Sequence, residues 1–234
     1  MPAKTESIEK LVKSLISKSE PTKHHSIRAL QPAVIDTLRP TIILLFGPST
    51  VGKDTIILKA LDLPFVSLVQ TATSRPRRPD EDESAYLWLR QPHKKETIQH
   101  YIHSMVTTYS LVEWDIHNRY LYGIPRKNIE KSLSSGVAII KTNFHGAKVL
   151  KTVLIYTANV LVMAVHPESW KELEERIVQM RKRPKLRIHE AIQSIEAASE
   201  IADYLVINSF KEGKLEQVQN DILQFFTEIY EKRS

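Results

Sequence analysis

Thr41-Ile-Ile-Leu-Leu-Phe46-Gly47-Pro-Ser-Thr-Val-Gly52-Lys53-Asp54 is the stretch on which the reading of this chain turns. Its first six residues are an unbroken apolar run rich in branched side chains, the composition of a strand buried on both faces. Two glycines then allow a tight turn in which backbone N–H groups converge on the oxygens of a phosphate. Lys53 opens a helical pattern over Lys53–Leu61. It brings a point charge suited to β- and γ-phosphates, and the positive end of the helix adds to that field. Strand, glycine loop and helix in this order make a phosphate cradle. Its candidate contacts are Gly47, Ser49, Thr50, Val51, Gly52, Lys53, Asp54 and Thr55, with Lys53 also a candidate for catalysis.

The residue after such a lysine is usually Ser or Thr, whose hydroxyl coordinates Mg²⁺. Here it is Asp54. A carboxylate is also a hard oxygen ligand for Mg²⁺, so Asp54 is the candidate metal residue and Mg²⁺ the expected cofactor. Thr55 also offers a hydroxyl, but one step along a helix turns it about a third of the way round.

Outward from the loop, apolar runs alternate with helical patterns. Phe65–Val69, Val137–Ile140, Val160–Val165 and Tyr204–Ile207 read as further buried strands. Helical stretches fall at Pro125–Leu133, Gly146–Lys151, Glu168–Lys182, Ile188–Ile201 and Gly213–Lys232. The expectation is an α/β fold of the P-loop NTPase kind: a five-stranded parallel sheet flanked by helices, with right-handed crossovers. Residues 71–124 break the alternation with a charged loop, short alternating segments (Tyr86–Leu89, Thr107–Trp114) and a helix near Glu96–Met105; they read as an inserted subdomain. Residues 1–40 differ again. Ile8, Leu11, Val12, Leu15 and Ile16 recur at helical spacing, so one amphipathic helix is expected over about Glu6–Lys18, stopped by Pro21. This extension packs on the main domain, binds a partner that the sequence does not identify, or hangs free; the pattern favours none of these.

Composition bounds the rest. The 234 residues hold 42% apolar and 26% charged side chains, ordinary for a globular protein. Cysteine is absent, which excludes a disulfide framework and a thiolate metal site. No apolar run approaches the ~20 residues of a membrane span, and the N-terminus lacks the apolar core of a secretory signal. The expected location is cytoplasmic, with no membrane partner. The net charge of +6 is modest and spread along the chain, and aromatic residues are not interleaved with basic runs, so no nucleic-acid partner is expected. His100 and His103 sit three apart on a helix, but nothing nearby completes a metal set; His24–His25 reads the same way.

Several ordered motifs together resemble those of the guanylate kinases. They are the loop Gly47–Asp54; Thr71-Ala-Thr-Ser-Arg75-Pro-Arg-Arg78-Pro-Asp-Glu81 followed by Tyr86; Leu111-Val-Glu113-Trp114 followed by Tyr120-Leu-Tyr122-Gly123; Phe144-His-Gly146-Ala147; Val165-His-Pro-Glu-Ser169; and Val206-Ile-Asn208. The resemblance covers about residues 41–232. It implies a monophosphate-binding subdomain over about 71–124, a small lid over about 176–190, and transfer of the ATP γ-phosphoryl to GMP or dGMP. Arg75 and Arg78 would grip the acceptor phosphate bidentately, with Tyr86 and Tyr122 donating hydroxyls. Glu113 would read the guanine edge, whose N1–H and 2-amino group are adjacent donors. Thr71, Gly123 and Asn143 complete the expected GMP site, and Arg176, Arg181 and Arg183 are the candidate lid arginines.

The chain also departs from the family pattern. An acidic strand end in the family reads Ile140-Lys141-Thr142-Asn143 here, which reverses the local charge; Lys141 itself could lie against phosphate. Asp54 is shared with a similar family, the ribose 1,5-bisphosphate phosphokinases, and a catalytically weak nucleotide-binding or scaffold module is the third alternative. Glu113 and Arg78 favour the nucleotide.

Overall fold

A computed structural model describes residues 2–31, 33–79, 81–180, 183–211 and 213–232. Among these, the elements run α1 (Pro2–Lys18), β1 (Glu20–Pro21), β2 (Ile27–Ala29), β3 (Thr41–Phe46), α2 (Lys53–Ile56), β4 (Val66–Leu68), β5 (Ala72–Thr73), β6 (Leu87–Trp88), α3 (Ile98–Tyr109), β7 (Leu111–His117), β8 (Tyr120–Pro125) and α4 (Arg126–Leu133). They continue with β9 (Val137–Lys141), α5 (Phe144–Leu154), β10 (Asn159–Pro167), α6 (Trp170–Met180), α7 (Pro184–Ile201), β11 (Tyr204–Asn208) and α8 (Lys214–Glu231).

The main sheet has the order β1-β2-β11-β10-β3-β9-β4 among the described residues. Its five strands β11, β10, β3, β9 and β4 are mutually parallel, as the apolar runs predict. Every residue of β3 is buried because helices cover both faces. Ile43 and Leu45 join one core with Val137, Ile139 and Met163. Ile42, Leu44 and Phe46 join the other with Ala138, Ile140 and Val162. Period-two alternation thus feeds two cores from one strand.

Two expectations are corrected. The sheet has seven strands, because the extension supplies β1 and β2, and β2 pairs antiparallel with β11. A three-residue strand carries too little pattern to be seen in sequence. The extension also packs: Ile8 and Val12 are buried in the cluster holding Trp170, Leu173, Ile177 and Ile195, and Leu15 lies in the opposite one. Glu9 accepts a hydrogen bond from the Trp170 backbone N–H at 2.7 Å, which satisfies an orphan donor at the start of α6. The second correction is the helix after the loop. It spans only Lys53–Ile56, and a 3₁₀ turn follows at Lys59–Asp62. Ile56, Ile57 and Ala60 are the buried residues of this segment, so the chain tightens to keep them in the core ahead of Pro64.

Residues 71–125 form a second sheet, ordered β6-β5-β8-β7. Its small core joins Ala72, Leu89 and Leu121 of this sheet region to Tyr101 and Met105 of α3.

Candidate functional site

The carboxyl ends of β3, β9, β10 and β11 meet at the loop after β3. Gly47 has φ +152°, and a Cβ there would lie 2.5 Å from the Val165 carbonyl oxygen. Gly52 caps α2 at φ +93°, where a Cβ would meet the Asn208 side chain at 2.7 Å. Both positions require glycine, which explains the spacing that marks the loop. Thr50 also takes a left-handed conformation. Asn208, at the end of β11, donates from Nδ2 to the Val51 carbonyl at 2.7 Å and clamps the loop from behind. The Lys53 ammonium donates to the carbonyls of Gly47 at 2.7 Å and Pro48 at 2.8 Å, so the loop closes around its own cation. The Val51 side chain is fully buried and supports the loop from the core. Asp54 and Thr55 are exposed on α2.

A cavity of about 470 Å³ opens beside this loop, within the roughly 300–1,000 Å³ of small-molecule sites. One wall is Gly47, Pro48, Ser49 and Lys53; another is Thr71, Tyr86, Glu113, Tyr122, Gly123 and Asn143. The glycine loop and six of the eight residues expected at the acceptor site therefore share one space. Glu113 projects from β7. Burial, and secondarily the charge of Asp115 two residues on, push its carboxyl up to about 7. Asn143 is used twice. Its Oδ1 accepts from the Gly146 N–H at 2.8 Å and caps α5, while its Nδ2 donates to Asp115 at 3.2 Å.

The two acceptor arginines stand beside the cavity but do not line it. Arg75 donates to both oxygens of Glu81, at 2.7 and 2.9 Å, and its guanidinium lies 5.5 Å from the Tyr86 ring centre. The Glu81 hydrogen bond, despite opposing desolvation and aided by the Tyr122 hydroxyl, raises the Arg75 pKa further. Arg78 reaches the same carboxylate at 3.6 Å. Glu81 thus holds the pair as a phosphate would.

The lid arginines divide. The Arg176 guanidinium sits 4.4 Å from the Phe210 ring centre, and its Nε is buried without a hydrogen-bond partner among the described residues. Arg183 caps α7 with φ +62°. Arg181 lies outside the described residues. The arginine that lines the cavity is Arg187, on the first turn of α7 and 2.7 Å from Glu190. It stands in the basic run 181–187, but no spacing singled it out. Asp115 was also missed, although its place two residues along the strand from Glu113 puts it on the same face. His100 and His103 are exposed, and no group of three or more His, Asp or Glu among the described residues could hold a metal. His24 is a core histidine paired with Glu228 at 3.3 Å.

A glycine loop at the carboxyl end of a parallel sheet, facing a second, smaller sheet across one cavity, defines a P-loop NTPase fold. A family model described as guanylate kinase matches residues 39–225, and the chain belongs to that family. The guanylate kinase of Synechococcus sp. (strain JA-3-3Ab) is 24% identical over 207 residues, covering 86% of this chain and 90% of that one. The guanylate kinase of Corynebacterium jeikeium is 29% identical over 175 residues, covering 71% and 87%. The solved guanylate kinase from Anaplasma phagocytophilum shares the fold, with a TM-score of 0.58 at 18% identity over 84% of this chain and 88% of that one. No helix among the described residues is long and apolar enough to cross a membrane.

Proposed function

We propose that this chain transfers the γ-phosphoryl group of ATP to GMP, with dGMP as a second acceptor. The observation that carries the reading is the shared cavity: Lys53 and residues 47–49 on one wall, Glu113, Tyr86 and Tyr122 on the other. Two anions can meet there head to head, which is the geometry an in-line transfer requires.

The loop and Lys53 hold the ATP phosphates. Ionised Glu113 accepts from the two adjacent donors of guanine, an edge that adenine lacks. Arg75 and Arg78 exchange Glu81 for the acceptor phosphate, with Tyr86 and Tyr122 donating beside them. Arg187 faces the transferring group from α7, and exclusion of water around it suppresses hydrolysis of ATP. Mg²⁺ commonly takes one or two carboxylates and keeps its remaining sites for water and phosphate. Asp54, an exposed carboxylate beside the loop, fits such an ion arriving with the nucleotide. When bound, the ion would neutralise phosphate charge.

A coupled assay of ADP release, with GMP, dGMP, AMP and ribose 1,5-bisphosphate offered in turn, tests the reading. Turnover with the guanine nucleotides and not with AMP is expected, and Lys53→Ala abolishes it. Turnover confined to the sugar bisphosphate overturns the assignment, as does nucleotide binding without turnover.

A further inference from the structure

The cradle contains an ion pair that its role as a phosphate loop does not require. Lys141 Nζ lies 2.5 Å from Asp54 Oδ1. Lys141 ends β9 and stands in register with Leu45 of β3, and the next residue, Thr142, donates its N–H to the Leu45 carbonyl at 3.0 Å. The ammonium therefore rides on the centre of the sheet, opposite a residue two positions before the loop begins at Gly47. It also lines the cavity together with Lys53. Asp54 sits on the first turn of α2 with its side chain 79% exposed, and Lys141 is 34% exposed. No trio of His, Asp or Glu among the described residues makes a metal cage here.

Two ammoniums and one carboxylate thus surround the place assigned to the ATP phosphates. We propose that Lys141 is a built-in cation that lets this loop bind nucleotide phosphates without a divalent ion, with Asp54 as its counter-ion until a nucleotide binds. The inference rests on the assignment of this loop to ATP. A metal-free nucleotide draws Lys141 from Asp54 to its own phosphate oxygens, since both are oxyanion partners of one ammonium. Mg²⁺ arriving with a nucleotide instead competes with Lys141 for the Asp54 oxygen. The two side chains then pull metal-free binding in opposite directions: Lys141 supports it, and Asp54 opposes it through repulsion and by holding Lys141.

Titration calorimetry with ADP, once with excess Mg²⁺ and once with EDTA, reads this without turnover. For the unaltered chain the two affinities are expected to agree within about threefold. Lys141→Met is expected to weaken ADP in EDTA by about tenfold or more, the scale of one charge-assisted hydrogen bond, and to leave ADP with Mg²⁺ unchanged or tighter. Asp54→Asn is expected to tighten ADP in EDTA. A general loss of loop structure would weaken both variants in both buffers, and that result overturns the proposal. So does a Lys141→Met protein whose two affinities keep the unaltered ratio, or an unaltered chain that binds ADP only with Mg²⁺. Absence of ADP binding by the unaltered chain in both buffers overturns the assignment of the loop itself, a different result from any of these.

Discussion

A carboxylate that accepts two hydrogen bonds from a base must be ionised, and its place on β7 holds the Glu113 carboxyl protonated to about pH 7. Guanine binding then has to drive off that proton. GMP affinity is expected to fall as pH drops below about 7, by close to tenfold per unit, and to level above it. Below pH 7, binding should release a proton, visible as a dependence of the calorimetric heat on the buffer's ionisation enthalpy. Glu113→Gln should bind GMP at least about tenfold more weakly, having lost one acceptor, and lose the titration near pH 7, leaving only that of the GMP phosphate near about pH 6. A profile that stays steep in Glu113→Gln would place the titrating group elsewhere. Arg75 supplies a second test at this scale. Its bidentate partner Glu81 is to be replaced by the acceptor phosphate, so Arg75→Ala should raise the KM for GMP roughly tenfold to a hundredfold with little change in the KM for ATP.

Within single elements, the loop was legible because its demands are local. Gly47 and Gly52 sit where a side chain would strike Val165 and Asn208, and glycine at those two positions is what the sequence displays. Gly47→Ala should cost about 1–3 kcal/mol in a urea titration and abolish ADP binding. The same locality made Glu113, Tyr86 and Tyr122 readable, since each falls in a short motif. Lys141 shows the limit. Its charge reversal was visible, but its pairing with Asp54 joins residues 87 positions apart through strand register. Arg187 was hidden for a related reason: in a basic run, only the turn at which α7 starts decides which guanidinium faces the cavity. The helix at 53–61 was overextended because apolar spacing does not distinguish one continuous helix from a short helix followed by a 3₁₀ turn.

For the molecule as a whole, the five parallel strands were readable because burial on both faces leaves near-continuous apolar runs. The docking of residues 5–31 was not, although the amphipathic face of α1 was. Leu15 is 5% exposed, and Leu15→Ala should lower the unfolding free energy by about 2–5 kcal/mol; a free extension would show no change. His166 and Glu113 act on the acid side of stability in opposite directions, since the raised Glu113 carboxyl adds stability as pH falls from about 7. His166 is 1% exposed, and burial pulls its pKa down to about 4, despite the opposing hydrogen bond to the Pro167 carbonyl. A depressed histidine contributes its full stability above about pH 6.5 and loses it as pH falls towards 4. That loss is about 3 kcal/mol across the window, and His166→Asn should remove it, so that the stability difference between variant and unaltered chain shifts by about that amount in the variant's favour from pH 6.5 to 4.

The antiparallel seam between β2 and β11, together with the cap that Glu9 places on α6, also orders events during synthesis. The segment holding Ile8, Val12 and Ile27 leaves the ribosome early, while Trp170, Ile195 and Val206, which share its core, are among the later residues made. At about 5–20 residues per second, α1 waits on the order of ten seconds or more with an oily stripe and no surface to cover it. Nascent chains of this protein are therefore expected to engage chaperones through α1, and to let go only once β11 has emerged.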